Sequence, residues 1–385
     1  MLIYAFFAEN NFVMRRIHMY IYQDASWPDF IWDNKALLIP ISKVRNLQGK
    51  LIGKMEAIGF SLREEAMLET LTIDVVKSTE IEGEILNSYQ VRSSIARRLG
   101  MDISGLIPSD RDVDGVVEMM LDATQNYEKP LTKERLFNWH GALFPTGRKG
   151  MLKIIVAAWR KDEIGPMQVV SGHLGKEKVY YQAPPAELVD NEISRFIKWF
   201  NSEPIIEPVI KSGLAHLWFV TIHPFDDGNG RIARAIADMQ LARADMTNQR
   251  FYSMSAHIER QKKAYYDILE KTKKGSMDIT CWLQWFVECL IRALEATDET
   301  LAKVLSKAKF WEKHATTIIN ERQKLMINKL LDNFSGKLNT SKWAKITKCS
   351  QDTALRDIQD LIQKEILIKE TGGGRSTSYV LNTAM

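Results

Sequence analysis

Residues 223–234 read HPFDDGNGRIAR, and no ordinary core segment needs that mixture of one His, two Asp, two Gly flanking an Asn, and two Arg three positions apart. An apolar helical run, LAHLWFVTI (214–222), delivers His223, and RIARAIADMQLARAD (231–245) opens another helix, so the GNG lies at a helix N-terminus. Unpaired backbone N–H groups and the positive end of the helix dipole gather there, and the glycines let a ligand approach the backbone closely. The natural guest is an anion, phosphate above all. Arg231 and Arg234, at i and i+3, share a helix face and supply further bidentate donors.

Asp227 is out of place in an anion site unless a cation bridges it to the phosphates, and a hard carboxylate oxygen suits Mg²⁺ bound with a nucleotide. His223 carries a side chain whose ordinary pKa suits general-base work near neutrality. The twelve residues together describe a phosphoryl or nucleotidyl transfer site.

Upstream, KIIVAAWR (153–160) and MQVVSGHLGKEKVYYQAPP (167–185) have short β-branched and aromatic runs broken by Gly and Lys, the pattern of a hairpin. Residues 36–100 and 111–145 read as helices. In LREEAMLETLTIDVVKSTEIEGEIL (62–86), Met67, Leu68, Leu71, Val75 and Ile81 fall near one stripe of helical period that ends at Gly83. Asn87 then caps a helix that Gly100 terminates. Glu80, Glu82 and Glu84 crowd the negative end of the first of these helices, which is unfavourable unless a cation comes from elsewhere in the fold.

The chain has 385 residues and 45% hydrophobic content, enough for two or three domains. From Lys313 onward, 12 Lys and Arg stand against 7 Asp and Glu, whereas the rest holds 40 against 41, so the basic excess is C-terminal. There QKLMINKLLDNF, SKWAKIT and QDTALRDIQDLIQKE predict three helices, followed by ILIKE and YVLN as a hairpin, a winged-helix-like module. Ser350 caps the third helix, with Leu355, Ile358, Leu361 and Ile362 toward a core. Gln351, Thr353 and Arg356 are groove contacts for DNA, and Lys342, Lys345, Lys348 and Arg375 phosphate contacts. Asp352, Asp357 and Asp360 would repel a duplex, so a protein-interaction wing stands equally beside DNA binding.

Cys281, Cys289 and Cys349 support neither a disulfide framework nor a zinc site; Cys281 and Cys289 read as small core residues of an apolar helix. The first 20 residues read as a poorly ordered tail whose composition argues against a signal peptide, and no run is long enough for a membrane helix, so a cytoplasmic protein is expected.

HPFDDGNGRIAR resembles the signature of the Fic family, HxFx(D/E)GNGRxxR, at every defining position. The resemblance extends from about residue 60 to 300 and includes APP at 183–185. It implies a mainly α fold with one β-hairpin flap (about 154–182) on a catalytic core of residues 111–300. Ahead of the core lies a helical region, 21–110, and behind it residues 301–385 form a linker helix and the winged-helix-like module. By the same resemblance His223 deprotonates a Ser, Thr or Tyr hydroxyl of a target protein, which attacks the α-phosphate of ATP. Phe225 packs under the loop and Asp227 holds Mg²⁺. Gly228, Asn229 and Gly230 cradle the phosphates, Arg231 and Arg234 bind the β and γ groups, and Tyr266 contacts the base. Gln168, Val169, Val170 and Ser171 form the flap edge that docks the target backbone.

KSTEIEGEIL resembles the family's inhibitory motif, (S/T)xxxE(G/N), with Ser78, Glu82 and Gly83 in register on a helix over about 64–83. This implies that Glu82 pairs with Arg234 in the γ-phosphate space while Ser78 steadies the glutamate. The resemblance also implies self-association. Two other readings stay open: a DNA-binding regulator that uses the Fic core as a nucleotide sensor, and a de-AMPylating enzyme. The intact GNGRxxR favours AMP transfer over phosphate transfer.

Overall fold

The computed structural model describes residues 20–101, 103, 105–163, 165–171, 178–203, 205–332, 334, 336–370 and 377–382. The N-terminal tail and Arg375 lie outside them. A 3₁₀ turn, Ile21–Gln23, precedes α1 (Asn34–Ala57), whose first turn is capped by the Asp33 carboxylate accepting from the Lys35 N–H at 2.8 Å. Leu37, Val44, Leu51 and Met55 give α1 one buried face at helical spacing. Helix α2 (Phe60–Ile81) is unlike a surface helix: besides Leu68, Leu71, Val75 and Ile81 it buries Asp74, Ser78 and Thr79. It ends two residues before the expected Gly83, which takes φ +87 and turns the chain sharply. Asn87 caps α3 (Ser88–Arg98) as expected.

Helices α4 (Arg111–Gln125) and α5 (Lys133–Leu143) lead into a two-residue-a-side hairpin, β1 (Arg148–Lys149) with β2 (Leu152–Lys153). The β-like pattern of KIIVAAWR predicts a strand that does not form beyond Lys153. Its N–H groups are taken elsewhere: Ile154 donates to the Gly147 carbonyl, Ile155 to Asp226 Oδ2, Ala157 to His140 Nδ1 and Arg160 to the Pro224 carbonyl. The segment is a buckle around the 223–228 loop rather than part of a sheet. The flap is β3 (Gln168–Ser171) with β4 (Lys178–Gln182), antiparallel, Val169 opposite Tyr181, with an irregularity between Val169 and Val170.

Then follow α6 (Ala186–Asn201), α7 (Pro208–Ile222), α8 (Asn229–Asp245), α9 (Met254–Arg260), α10 (Lys262–Lys273), α11 (Thr280–Glu295) and α12 (Thr297–Lys313). Helix α7 buries every residue from Val209 to Ile222, and α8 every residue from Arg231 to Ala242. Helices buried all round lie at the centre of a fold, and these two pack against each other as its axis, with Arg231, Arg234 and Asp238 of α8 buried among the apolar residues. Cys289 is buried in α11, but Cys281 is exposed at its first turn, against the expectation that both lie in the core.

The C-terminal unit comprises α13 (Glu321–Leu331), α14 (Thr340–Thr347), α15 (Gln351–Gln363) and an antiparallel pair, β5 (Leu367–Lys369) with β6 (Tyr379–Leu381). Met326, Ile327, Trp343, Ala354, Ile358 and Leu361 belong to its own core. Leu355, expected inward, is 38% exposed, because the inward stripe runs through Ala354, Ile358 and Leu361 and leaves it about 100° round the helix. Among the described residues no helix is long and apolar enough to cross a membrane.

Candidate active site

The six residues between α7 and α8 are held from below. Phe225 is fully buried, its ring stacked on His140 at 4.1 Å and tilted against Trp159 at 5.1 Å. Asn229 turns its side chain back on the loop, accepting from the Phe225 N–H at 3.0 Å and donating to the Phe225 carbonyl at 2.8 Å. Its amide braces the turn, so only its backbone is free for the expected phosphate cradle.

His223 takes φ 53 and ψ 58, a left-handed conformation that costs a residue with a Cβ about 1–3 kcal/mol. Arg160 holds it there. The Arg160 Nε donates to the His223 carbonyl at 2.8 Å and its backbone N–H to the Pro224 carbonyl at 2.9 Å; Nη1 reaches Asp162 at 2.8 Å, and Nη2 reaches the Pro184 carbonyl. Only 2% exposed, Arg160 ties together the loop, the buckle and the APP segment. Sequence reasoning missed it, since a lone Arg after the apolar run IIVAAW carries no local signal.

The His223 ring Nδ1 lies 3.3 Å from the Val220 carbonyl. A carbonyl only accepts, so Nδ1 carries the proton and Nε2 keeps a lone pair. Burial first, then the charge of Lys273, pushes the pKa down to about 3, so the ring is neutral across the physiological range. Lys273, at the end of α10, is itself buried over the Tyr181 ring at 4.2 Å, and burial lowers its pKa to about 7. Tyr181 in turn donates to the Thr221 carbonyl at 2.6 Å, fastening the flap two residues before His223. Gln168 pairs across the flap with Gln182 at 3.2 Å; the described part of β3 pairs only with β4, on backbone from Gln168 through Val169 and Val170 to Ser171.

At the start of α8, cations and carboxylates interlock. Arg234, 2% exposed, donates from Nη2 to Glu82 Oε1 at 2.8 Å and to the Ser78 carbonyl at 2.7 Å, and from Nε to Ser78 Oγ at 2.9 Å. Ser78 therefore steadies the arginine, not the glutamate as the motif implied. The Glu82 carboxylate lies over the helix N-terminus: a Cβ built on Gly230 would stand 2.2 Å from Oε1, so a larger residue there would push the carboxylate aside. Arg231 donates to Glu84 Oε2 at 3.2 Å, and Lys149 bridges Asp227 at 2.6 Å and Glu84 at 3.6 Å. With Glu80 on Lys77 at 2.5 Å, each acid crowding the end of α2 has its own cation. Asp227 also accepts from the Gly228 N–H at 2.7 Å; against the burial that raises it, Lys149 and this bond keep its pKa below the usual carboxylate value. Tyr266, expected at a base, directs its hydroxyl to the Ile81 carbonyl at 3.3 Å and lies 3.5 Å from Glu82 Oε2.

A neutral imidazole beside an arginine-lined helix N-terminus can take a proton from a nucleophile next to a bound phosphate. Residues 130–241, which include the whole loop, match the family described as Fic/DOC. The chain carries a Fic/DOC domain. Ahead of it, residues 20–101 match a domain family of unknown function, DUF4172, and it is from this region that the end of α2 and the turn after it send Ser78, Glu82 and Glu84 into the Fic/DOC site.

Among relatives, the protein adenylyltransferase Fic of Culex quinquefasciatus is 33% identical over 229 residues, 57% of this chain and 40% of that protein. The probable protein adenylyltransferase of Aquifex aeolicus is 32% identical over 98 residues, 25% of this chain and 31% of that one. The chain thus spans less than half the length of either relative. A crystal structure of a Fic family protein from Desulfovibrio desulfuricans G20 shares the Fic fold with a TM-score of 0.52 at 18% identity, covering 92% of this chain and 98% of that one.

Proposed function

We propose that this chain is a protein adenylyltransferase that moves AMP from ATP to a Ser, Thr or Tyr hydroxyl of a target protein, and that Glu82 restrains it. The observation that carries the proposal is the Glu82 carboxylate, held by Arg234 at 2.8 Å over Gly230, where an anion belongs. A protein anion already seated there marks the position of a ligand anion.

In the proposed step His223 Nε2 takes the target hydroxyl proton, and the oxygen forms a bond to the α-phosphorus. The bond from that phosphorus to the bridging oxygen breaks, and pyrophosphate leaves. Arg231 and Arg234 hold the β and γ groups and spread the charge that develops on the leaving group. Neutral His223, locked by Arg160 and Val220, needs no prior deprotonation.

Asp227 fits a divalent cation: it is an anionic carboxylate with one oxygen held by a backbone N–H and the other by a lysine that can withdraw. Among the described residues no cluster of three or more His, Cys, Asp or Glu side chains is placed to hold a metal. One carboxylate plus phosphate oxygens is the coordination Mg²⁺ favours with nucleotides. When bound, Mg²⁺ neutralises phosphate charge and orients the leaving group.

The flap supports docking of the target: β3 offers backbone for strand addition, and Tyr181 keeps that edge in register with His223. The test supplies α-labelled and γ-labelled ATP with Mg²⁺ to the unchanged chain, Glu82→Gly and His223→Ala. Label on protein from the α position alone, lost in His223→Ala, supports AMP transfer; label from the γ position contradicts it.

A nucleic-acid contact by the C-terminal unit is a second reading. Two of the three acids set against it are neutralised: Asp357 is buried against Arg322 at 2.7 Å, and Asp360 pairs with Lys364 at 2.6 Å. Lys342, Lys345, Lys348, Gln351 and Arg356 remain on the outside, with Thr353 partly so.

A further inference from the structure

Two glutamates, not one, occupy the positive end of α8. Arg231 and Arg234 stand one helical turn apart, about 5–6 Å between Cβ atoms. Glu82 takes Arg234, and past the sharp turn at Gly83 Glu84 takes Arg231. The second carboxylate has a further partner that no motif points to. Lys149, on the β1–β2 hairpin, lies 3.6 Å from one Glu84 oxygen while Arg231 lies 3.2 Å from the other. An anion is therefore held between a lysine and an arginine beside the Glu82 position.

Arg231 gives an independent sign that this place is built for a ligand. It is 2% exposed, yet its Nε and Nη2 have no hydrogen-bond partner. Buried guanidinium N–H groups left unpaired destabilise the fold, and a multidentate anion relieves this where a single carboxylate oxygen on Nη1 does not.

We propose that Lys149 joins Arg231 in holding phosphate and that Glu84 blocks the pair in the resting chain, so that a phosphoanhydride chain must displace two carboxylates. The proposal rests on the nucleotide reading of the site. Lys149 is 40% exposed on a short hairpin and can change partners. With a cation held at Asp227, Lys149 would lose that carboxylate as a partner and would find its nearest anions in the phosphates. As a compact point charge on a flexible stem, lysine suits this exchange better than a fixed arginine fork. A monophosphate does not reach both carboxylate positions, which separates ATP from AMP.

The test is calorimetric binding of ATP and of AMP, with Mg²⁺ in excess, to the full chain in a Glu82→Gly background. Adding Glu84→Gln is expected to tighten ATP about tenfold, the effect of one charged contact, while AMP changes by less than about twofold. Adding Lys149→Met to that pair is expected to remove most of the gain, and Lys149→Arg to retain part of it. If ATP binds but responds to neither Glu84→Gln nor Lys149→Met, the role given to Lys149 and Glu84 is wrong and the nucleotide reading stands. If ATP does not bind any of these variants, both fall together.

Discussion

Arg234 Nη2 is shared by Glu82 Oε1 at 2.8 Å and the Ser78 carbonyl at 2.7 Å, the one just past the end of α2 and the other in its last turn. The guanidinium of the Fic/DOC helix is thus solvated by the preceding domain instead of by water. Its pKa is raised: burial, the largest influence, lowers it, but Glu82 and neighbouring tyrosines more than offset that. Whatever displaces Glu82 must supply an anion of its own, because an unpaired buried charge is costly.

Ser78→Ala is expected to raise basal AMP transfer, less than Glu82→Gly does. The change removes the acceptor for Arg234 Nε and leaves a buried N–H unpaired, which destabilises the restrained state by about 1–3 kcal/mol. Initial rates of target or self-labelling compare the three chains; a slower Ser78→Ala chain with unaltered fold would count against this role.

Gly230→Ala places a methyl where Glu82 Oε1 already is. It is expected to push the Glu82 carboxylate away from Arg234 and lower stability by about 1.5–3 kcal/mol, the worth of a charged hydrogen bond, and in a Glu82→Gly background this loss is expected to vanish. Chemical denaturation of the two single variants and the double variant reads the coupling directly. Additive effects would mean that Glu82 does not lie over Gly230 in solution.

Arg160→Met is expected to lower kcat with little change in KM for ATP. It removes the donors that hold the left-handed His223 turn without touching the arginines of the phosphate site, and a displacement of about 1 Å can cost about 100-fold. Equal losses in nucleotide affinity and kcat would place Arg160 in general folding instead.

Acid should destabilise this fold early. Burial lowers the pKa of His216 and His223 to about 3 and of His140 and His257 to about 4, against an ordinary 6.5. The unfolded chain then binds more protons than the folded one between about pH 6.5 and those values, so stability is full above about 6.5 and falls as pH drops through that window. Denaturant midpoints at pH 7.5, 6 and 5 check the sign at about those settings, and a His140→Asn chain should show a shallower decline.

The site's chemistry was legible because its carriers lie in one window: a base, a carboxylate, a helix N-terminus and two arginines at i, i+3. The partners that set their state were not. Arg160 and Lys149 reach the loop from segments more than sixty residues upstream, and nothing in their own neighbourhoods marks a lysine or arginine as bound. Ser78 and Glu84 were visible as residues, but which atom each would meet depends on how α2 crosses α8. KIIVAAWR misled for a physical reason: its β-branched composition is that of a strand, while its N–H groups find acceptors on Gly147, Asp226, His140 and Pro224 instead of a neighbouring strand. In the C-terminal unit the helical period placed Ile358 and Leu361 inward, and the one-residue ambiguity of such stripes put Leu355 on the wrong side.

The measurement closest to the central claim is AMP incorporation from α-labelled ATP by the Glu82→Gly chain against the unchanged chain, at equal concentration and with Mg²⁺. A charged hydrogen bond of about 1.5–3 kcal/mol holds the resting pose, so removing it should raise the initial rate about 10- to 100-fold. Equal incorporation by the two chains would contradict the assignment of Glu82 as the restraint on Arg234.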